Sequence, residues 1–177
     1  MLKYILSVLA VAMLVPAASA QERHSPGIHR HGHGTLDLAI EGGKVFIELR
    51  VPGADIAGFE HPAQTAQERA AIERATADLR DPLVLFAPPA SAGCRVAAAR
   101  VALAGEGGRA HAMHAEFHAD YTLSCTRPDA LDRINLLNYF EKFPRARELD
   151  VNAITDRGQT AHEVERARPV IDLKRTP

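Results

Sequence analysis

The chain has 177 residues, with 21 basic and 22 acidic side chains, a formal charge of -1, 5% aromatic residues and no tryptophan. That balance excludes a nucleic-acid binder and a polybasic membrane-surface protein, both of which need a cationic surplus. The length suffices for one domain with a sizeable core, which with so few aromatics is expected to rest on Val, Leu, Ile and Ala.

Residues 1–20 read as a secretory signal peptide: Lys3, then an apolar run from Tyr4 to Val15, then Ala18-Ser19-Ala20 before Gln21. The alternative is an uncleaved anchor, but the apolar run falls short of the roughly 20 residues needed to span a bilayer and is broken by Pro16. Cleavage after Ala20 would remove one lysine and no acid, leaving a charge of -2 and a periplasmic protein without stable membrane insertion. Residues 21–30, polar with Pro26 and Gly27, are expected to form a mobile arm.

Alternation then begins. Leu36, Leu38 and Ile40 share one face, Gly42-Gly43 marks a turn, and Val45 to Val51 returns, so a hairpin is predicted that ends at Pro52-Gly53. Thr65 with Glu68 three residues on is a capping-box pattern opening a helix over about residues 66–80. Its inner side is Ile72, Ala75 and Leu79, its solvated side Arg69, Glu73, Arg74 and Asp78, and Asp81-Pro82 stops it.

From Cys94 to Leu103 and from Met113 to Cys125 alternation resumes, around a Gly-rich turn at Gly105 to Gly108. In an oxidising compartment two cysteines read first as a disulfide, a metal-thiolate pair being the weaker reading. With Cys94 opposite Cys125, Val96 would face Leu123, Ala98 would face Tyr121 and Ala102 would face Phe117, leaving Arg100 as the exception on an apolar face. Further strands are predicted at Arg133 to Leu137, Leu149 to Thr155, Gln159 to Glu165 and Val170 to Leu173, with a turn at Asp156 to Gly158. The fold class expected is α+β: a single β-rich domain over residues 31–175, mostly antiparallel, with one main helix.

Chemistry gathers on two strands. His29, His31, His33, Thr35 and Asp37 alternate with Leu36 and Leu38, and His114, Glu116, His118 and Asp120 alternate with Ala115, Phe117 and Ala119. Imidazoles two residues apart on a strand are near enough to converge on one metal ion. A solvated polar face is the alternative for either row alone. Nine histidines against three methionines favour Zn²⁺ over copper(I), which prefers sulfur. His61 reads equally as a loop residue or a ligand, His111 lies in the turn as a further candidate, and His24 and His162 look like surface residues. Neither a nucleophile elbow nor an H-E-x-x-H helix is present, so catalysis is not expected; a zinc hydrolase with Glu116 as base is the remote alternative.

The segments "HRHGHGTLDLAIEGGKVFIELRVPGADIAGFEHPAQT", "HAEFHADYTLSC" and "YFEKFPRARELDV" resemble the ZrgA-like, zinc-regulated periplasmic proteins over nearly all the chain beyond residue 20. The resemblance implies periplasmic zinc binding and supply to zinc import, without catalysis, with histidine motifs falling on His31 and His33, on His61, and on His114 and His118. Many relatives carry a long His, Asp and Glu run between the paired strands, where this chain keeps only Gly105 to Met113. The expectation is a protein that captures Zn²⁺ and passes it to a component of a zinc ABC importer or to an apo-metalloprotein. His31, His33, His61 and one of His114 or His118 would form the tightest site, oriented by Glu116, Asp37 or Glu60. The competing expectation is a cell-envelope structural or interaction module with incidental histidines.

Overall fold

A computed structural model describes residues 31–105 and 114–174. The signal-type segment, the arm with His24 and His29, and residues 106–113, which include His111 and most of the Gly-rich turn, lie outside the described residues.

The first hairpin joins β1 (His33–Glu41) to β2 (Lys44–Pro52) through Gly42 and Gly43. Short helix α1 (Gly53–Ile56) follows at once, then α2 (Ala66–Leu79), α3 (Pro82–Phe86), β3 (Cys94–Ala104) and β4 (Glu116–Cys125). The remainder is β5 (Arg133–Asn135), α4 (Leu137–Lys142), β6 (Glu148–Thr155), β7 (Gly158–Glu165) and β8 (Val170–Asp172). Six strands form one sheet in the order β3-β4-β2-β1-β6-β7, and β5 pairs with β8 separately. All pairings are antiparallel except β1 with β6. The architecture is thus β-rich and α+β, as the strand spacing implied.

The helix forms where its cap was read. Thr65 accepts a hydrogen bond from the Glu68 N–H, and the Glu68 side chain accepts one back from the Thr65 N–H. Asp81 does more than stop the helix: its side chain accepts from the Val84 N–H and Pro82 occupies the first turn of α3, so the breaker is also a start. The three short helices were not foreseen. Segments of four to six residues show too few turns for a 3.6-residue period to register.

One sheet face is core. Leu36, Leu38, Ile47, Leu49, Phe117 and Tyr121 are buried there, against Leu79, Leu85 and Phe86. Val, Leu, Ile and Ala make up most of it, as expected, but Phe86, Phe117, Tyr121, Tyr139, Phe140 and Phe143 are buried as well. Aromatics are few but concentrated. Tyr121 keeps its hydroxyl satisfied by donating to the Leu79 carbonyl at the end of α2, at 2.7 Å.

Cys94 and Cys125 form a disulfide and are directly paired. The crosslink closes a loop worth about 3.5 kcal/mol in the chain-entropy model. The expected register holds for Val96 and Leu123 and then fails: the ladder shifts at a bulge between Val96 and Ala98, so Ala98 faces Thr122, Ala99 faces Tyr121 and Ala102 faces His118. The physical reason is Arg100. Without the bulge it would oppose Ala119 on the apolar face; with it, Arg100 opposes Asp120, and Ala99, Val101 and Leu103 turn to the core.

The other sheet face is open and carries Asp37, Glu48, Asp120 and Asp150 among its exposed or half-buried side chains, with Phe46 and Ile154 toward the far end. His162 lies on the core-facing side of edge strand β7 and is half-buried rather than fully exposed, with Nε2 2.9 Å from the Thr160 hydroxyl.

Candidate metal centre

At one end of the central strands, three stretches distant in sequence are tied together by backbone. Gly53 N–H donates to the Ala115 carbonyl at 2.7 Å, and Ala115 N–H donates to the Glu60 carbonyl at 2.8 Å. These two bonds lock the loop after α1 against the residue between His114 and Glu116. The residues before β1 are fixed from the other side. Gly32 N–H points between both oxygens of the Asp55 carboxylate at 2.8 Å, and the Gly32 carbonyl accepts from the N–H groups of Arg147 and Glu148. Asp55 is the buried charged side chain of the core, and burial pushes its carboxyl above the ordinary range.

The result converges on Glu60. His114 Nδ1 lies 2.7 Å from Glu60 Oε2, and His31 Nε2 lies 3.7 Å from the same oxygen. Glu60 is 9% exposed, whereas His31 and His114 are 63% and 47% exposed. Its other oxygen, Oε1, is buried and accepts no hydrogen bond. A buried carboxylate oxygen left without a donor is costly unless something cationic meets it. Imidazole and carboxylate donors around one point are the ligand types zinc takes.

The other expected residues lie against different carboxylates. His33 Nδ1 is 3.2 Å from Glu148 Oε1, its direct neighbour across the parallel β1–β6 ladder. His118 Nε2 contacts Glu116 two residues earlier on the same strand. His61 stacks on Phe59 with ring centroids 5.0 Å apart; Nδ1 donates to the Pro62 carbonyl at 3.0 Å and Nε2 lies 3.7 Å from Glu68. Glu68 itself is held below the ordinary carboxylate range, chiefly by the N–H groups of Thr65 and Gln64. Asp37 accepts from Asn152 at 2.9 Å. So the structure brings His31, His114 and Glu60 together and leaves His33, His61 and His118 in separate pairs.

One further group was missed. Among the described residues, Glu148, Glu163 and Glu165 are the three metal-type side chains whose ligand atoms all lie within 4.8 Å of one another. Glu148 and Glu165 oppose each other across β6–β7. The alternation that singled out the histidines would also have found Glu163 and Glu165, two apart on β7, had it been applied to acids.

A family model described as ZrgA family zinc uptake protein matches residues 28–173. No curated protein matches the chain.

Proposed function

The chain belongs to the ZrgA family of zinc uptake proteins, and from that premise we propose that it is a periplasmic zinc-binding protein, exported with cleavage after Ala20, that captures Zn²⁺ and hands it to an importer component or to an apo-metalloprotein. His31, Glu60 and His114 hold the ion. The single observation that carries this reading is the Glu60 carboxylate: little exposed, flanked by two imidazoles, and with its buried Oε1 lacking any donor among the described residues.

In the metal-free arrangement a hydrogen bond joins His114 Nδ1 and Glu60 Oε2. Zinc replaces it, taking neutral imidazole nitrogen from His31 and His114 and carboxylate oxygen from Glu60. Glu60, expected from sequence to orient the ligands, is in this reading one of them. Three protein donors leave a tetrahedral ion one open position. The exposed tips of both histidines suit a protein that must release its cargo, since a closed four-ligand site suits permanent structural zinc. Nothing in this role requires catalysis.

Competition against a chromophoric zinc chelator in a non-coordinating buffer tests it. One tight zinc per chain is expected, and Glu60→Gln should weaken it at least about 100-fold. Unchanged affinity in that variant would overturn the site.

A further inference from the structure

Two arginines flank the centre without a salt bridge among the described residues, although the Arg147 charge reaches Asp55 and favours its ionised form. Arg145 sits in the turn closed by the Ala146 N–H on the Phe143 carbonyl, and Arg147, just past the buried Ala146, leads into β6. Together with His31, Asp55 and Glu60 they line a cleft of about 540 Å³, within the size range of small-molecule sites. Each guanidinium lies over a glycine of positive φ. A Cβ on Gly32 would come within 2.5 Å of Arg147 Nε, and one on Gly58 within 3.2 Å of Arg145 Nη1. The glycines make room for the arginines to lie flat along the cleft wall. Arg147 Nη2 also donates to the His31 carbonyl at 3.3 Å, which ties it to the chain that carries a ligand.

The acids of the same wall are already engaged. Asp55 accepts from Gly32, and Glu60 faces His31 and His114. Among the described residues neither Arg145 nor Arg147 has a carboxylate within ion-pair distance. Two carboxyl groups, Asp55 and Glu60, stand against the two guanidiniums in the wall of the cleft. A Zn²⁺ ion bound by neutral imidazoles adds two positive charges, and no residue of the wall remains to balance them.

We propose that the cleft takes a carboxylate from outside the chain, seated on the Arg145 and Arg147 guanidiniums, which supplies the fourth zinc ligand. This rests on the reading of His31, Glu60 and His114 as the zinc site. A planar guanidinium fork matches a carboxylate with two parallel hydrogen bonds, and His31 and Glu60, two of the three proposed zinc ligands, line the same cleft. Because the charge imbalance arises only with the ion, carboxylate and zinc bind with positive coupling, each strengthening the other by one common factor. The carboxylate has two possible sources: a small organic acid, or an acidic side chain of a partner protein.

The test measures zinc affinity of the full-length mature protein by chelator competition, with no carboxylate, with acetate, and with the peptide acetyl-Gly-Glu-Gly-amide. Calorimetry then measures acetate and peptide binding to the zinc-loaded and metal-free wild type. A rise in zinc affinity of about tenfold is expected at saturating carboxylate, with the same factor separating loaded from metal-free protein. In Arg145→Gln and Arg147→Gln, each compared with itself, the enhancement should fall below about twofold. Enhancement by acetate supports a small organic acid, and enhancement by the peptide alone supports a partner's side chain. The proposal is overturned if neither carboxylate changes zinc affinity, if inorganic phosphate does as well as acetate, or if both arginine variants keep the full enhancement. The zinc site itself is judged separately, by Glu60→Gln in carboxylate-free buffer, so loss of the coupling and loss of the site are told apart.

Discussion

The His31–Glu60–His114 centre and the Glu148–Glu163–Glu165 group are built in opposite ways. The first is assembled by loops from three distant segments, has nitrogen donors, and keeps its carboxylate little exposed with an unsatisfied oxygen. The second is laid out by strand register on the sheet edge, is three carboxylates with the His33 imidazole 3.2 Å from one of them, and is the more closely spaced of the two. Spacing alone would choose the second. Donor type chooses the first for zinc, because a cluster dominated by carboxylates suits hard cations such as Ca²⁺ and Mg²⁺, while two imidazoles on one carboxylate suit zinc.

Several substitutions bear on that contrast. Glu60→Gln should cost at least about 100-fold in zinc affinity, whereas Glu148→Gln and Glu163→Gln should each stay within about threefold; a reversed order would move the cargo site to the sheet edge. His31→Ala and His114→Ala should each lower affinity by about 30-fold, and the double variant by little more than either alone, since ligands of one ion act as a unit. Additive effects would mean two ions. Between about pH 7 and pH 5.5 zinc affinity should fall steeply, because imidazole must be neutral to ligate. Binding by the three glutamates alone would weaken mainly at lower pH, and the profile of His33→Ala, which removes the imidazole beside Glu148, should keep the steep fall.

The smallest expected effect concerns His61, whose ring faces the α2 cap. Thr65→Ala should cost about 1 kcal/mol of stability by removing that cap while leaving zinc affinity unaltered, as read by thermal unfolding and chelator competition. Glu68 adds a pH term. Its lowered pKa means that its contribution to stability is present above the ordinary carboxylate range and is lost as pH falls through the folded value. The stability gap between the wild type and Glu68→Gln should therefore narrow in acid.

Much of this was legible in the chain. Alternation located the strands because each has one buried face, and the cysteine pair gave the correct β3–β4 register as far as Val96. Arg100 was the clue to the bulge, since a charged residue in an apolar row signals that the row has shifted. The histidine rows were legible as chemistry but not as a site. Which imidazoles meet depends on two backbone bonds from Ala115, to Gly53 and Glu60, and no periodicity encodes a contact between loops more than fifty residues apart. The parallel β1–β6 pairing was equally silent, because alternation shows which face is buried and not which strand lies beside it.

That parallel pairing also sets an order of events for a chain that folds from its N-terminal end. Asp37 on β1 and Asn152 on β6 are neighbours although 115 positions apart, while β1, β2, β4 and β3 pair within the first 125 residues. An emerging chain can thus close the disulfide and assemble four strands while one flank of β1 has no partner. A bare strand flank recruits other chains. The interval before β6 arrives is the step at which self-association competes with folding, and premature termination anywhere between Cys125 and Glu148 leaves the polypeptide held there.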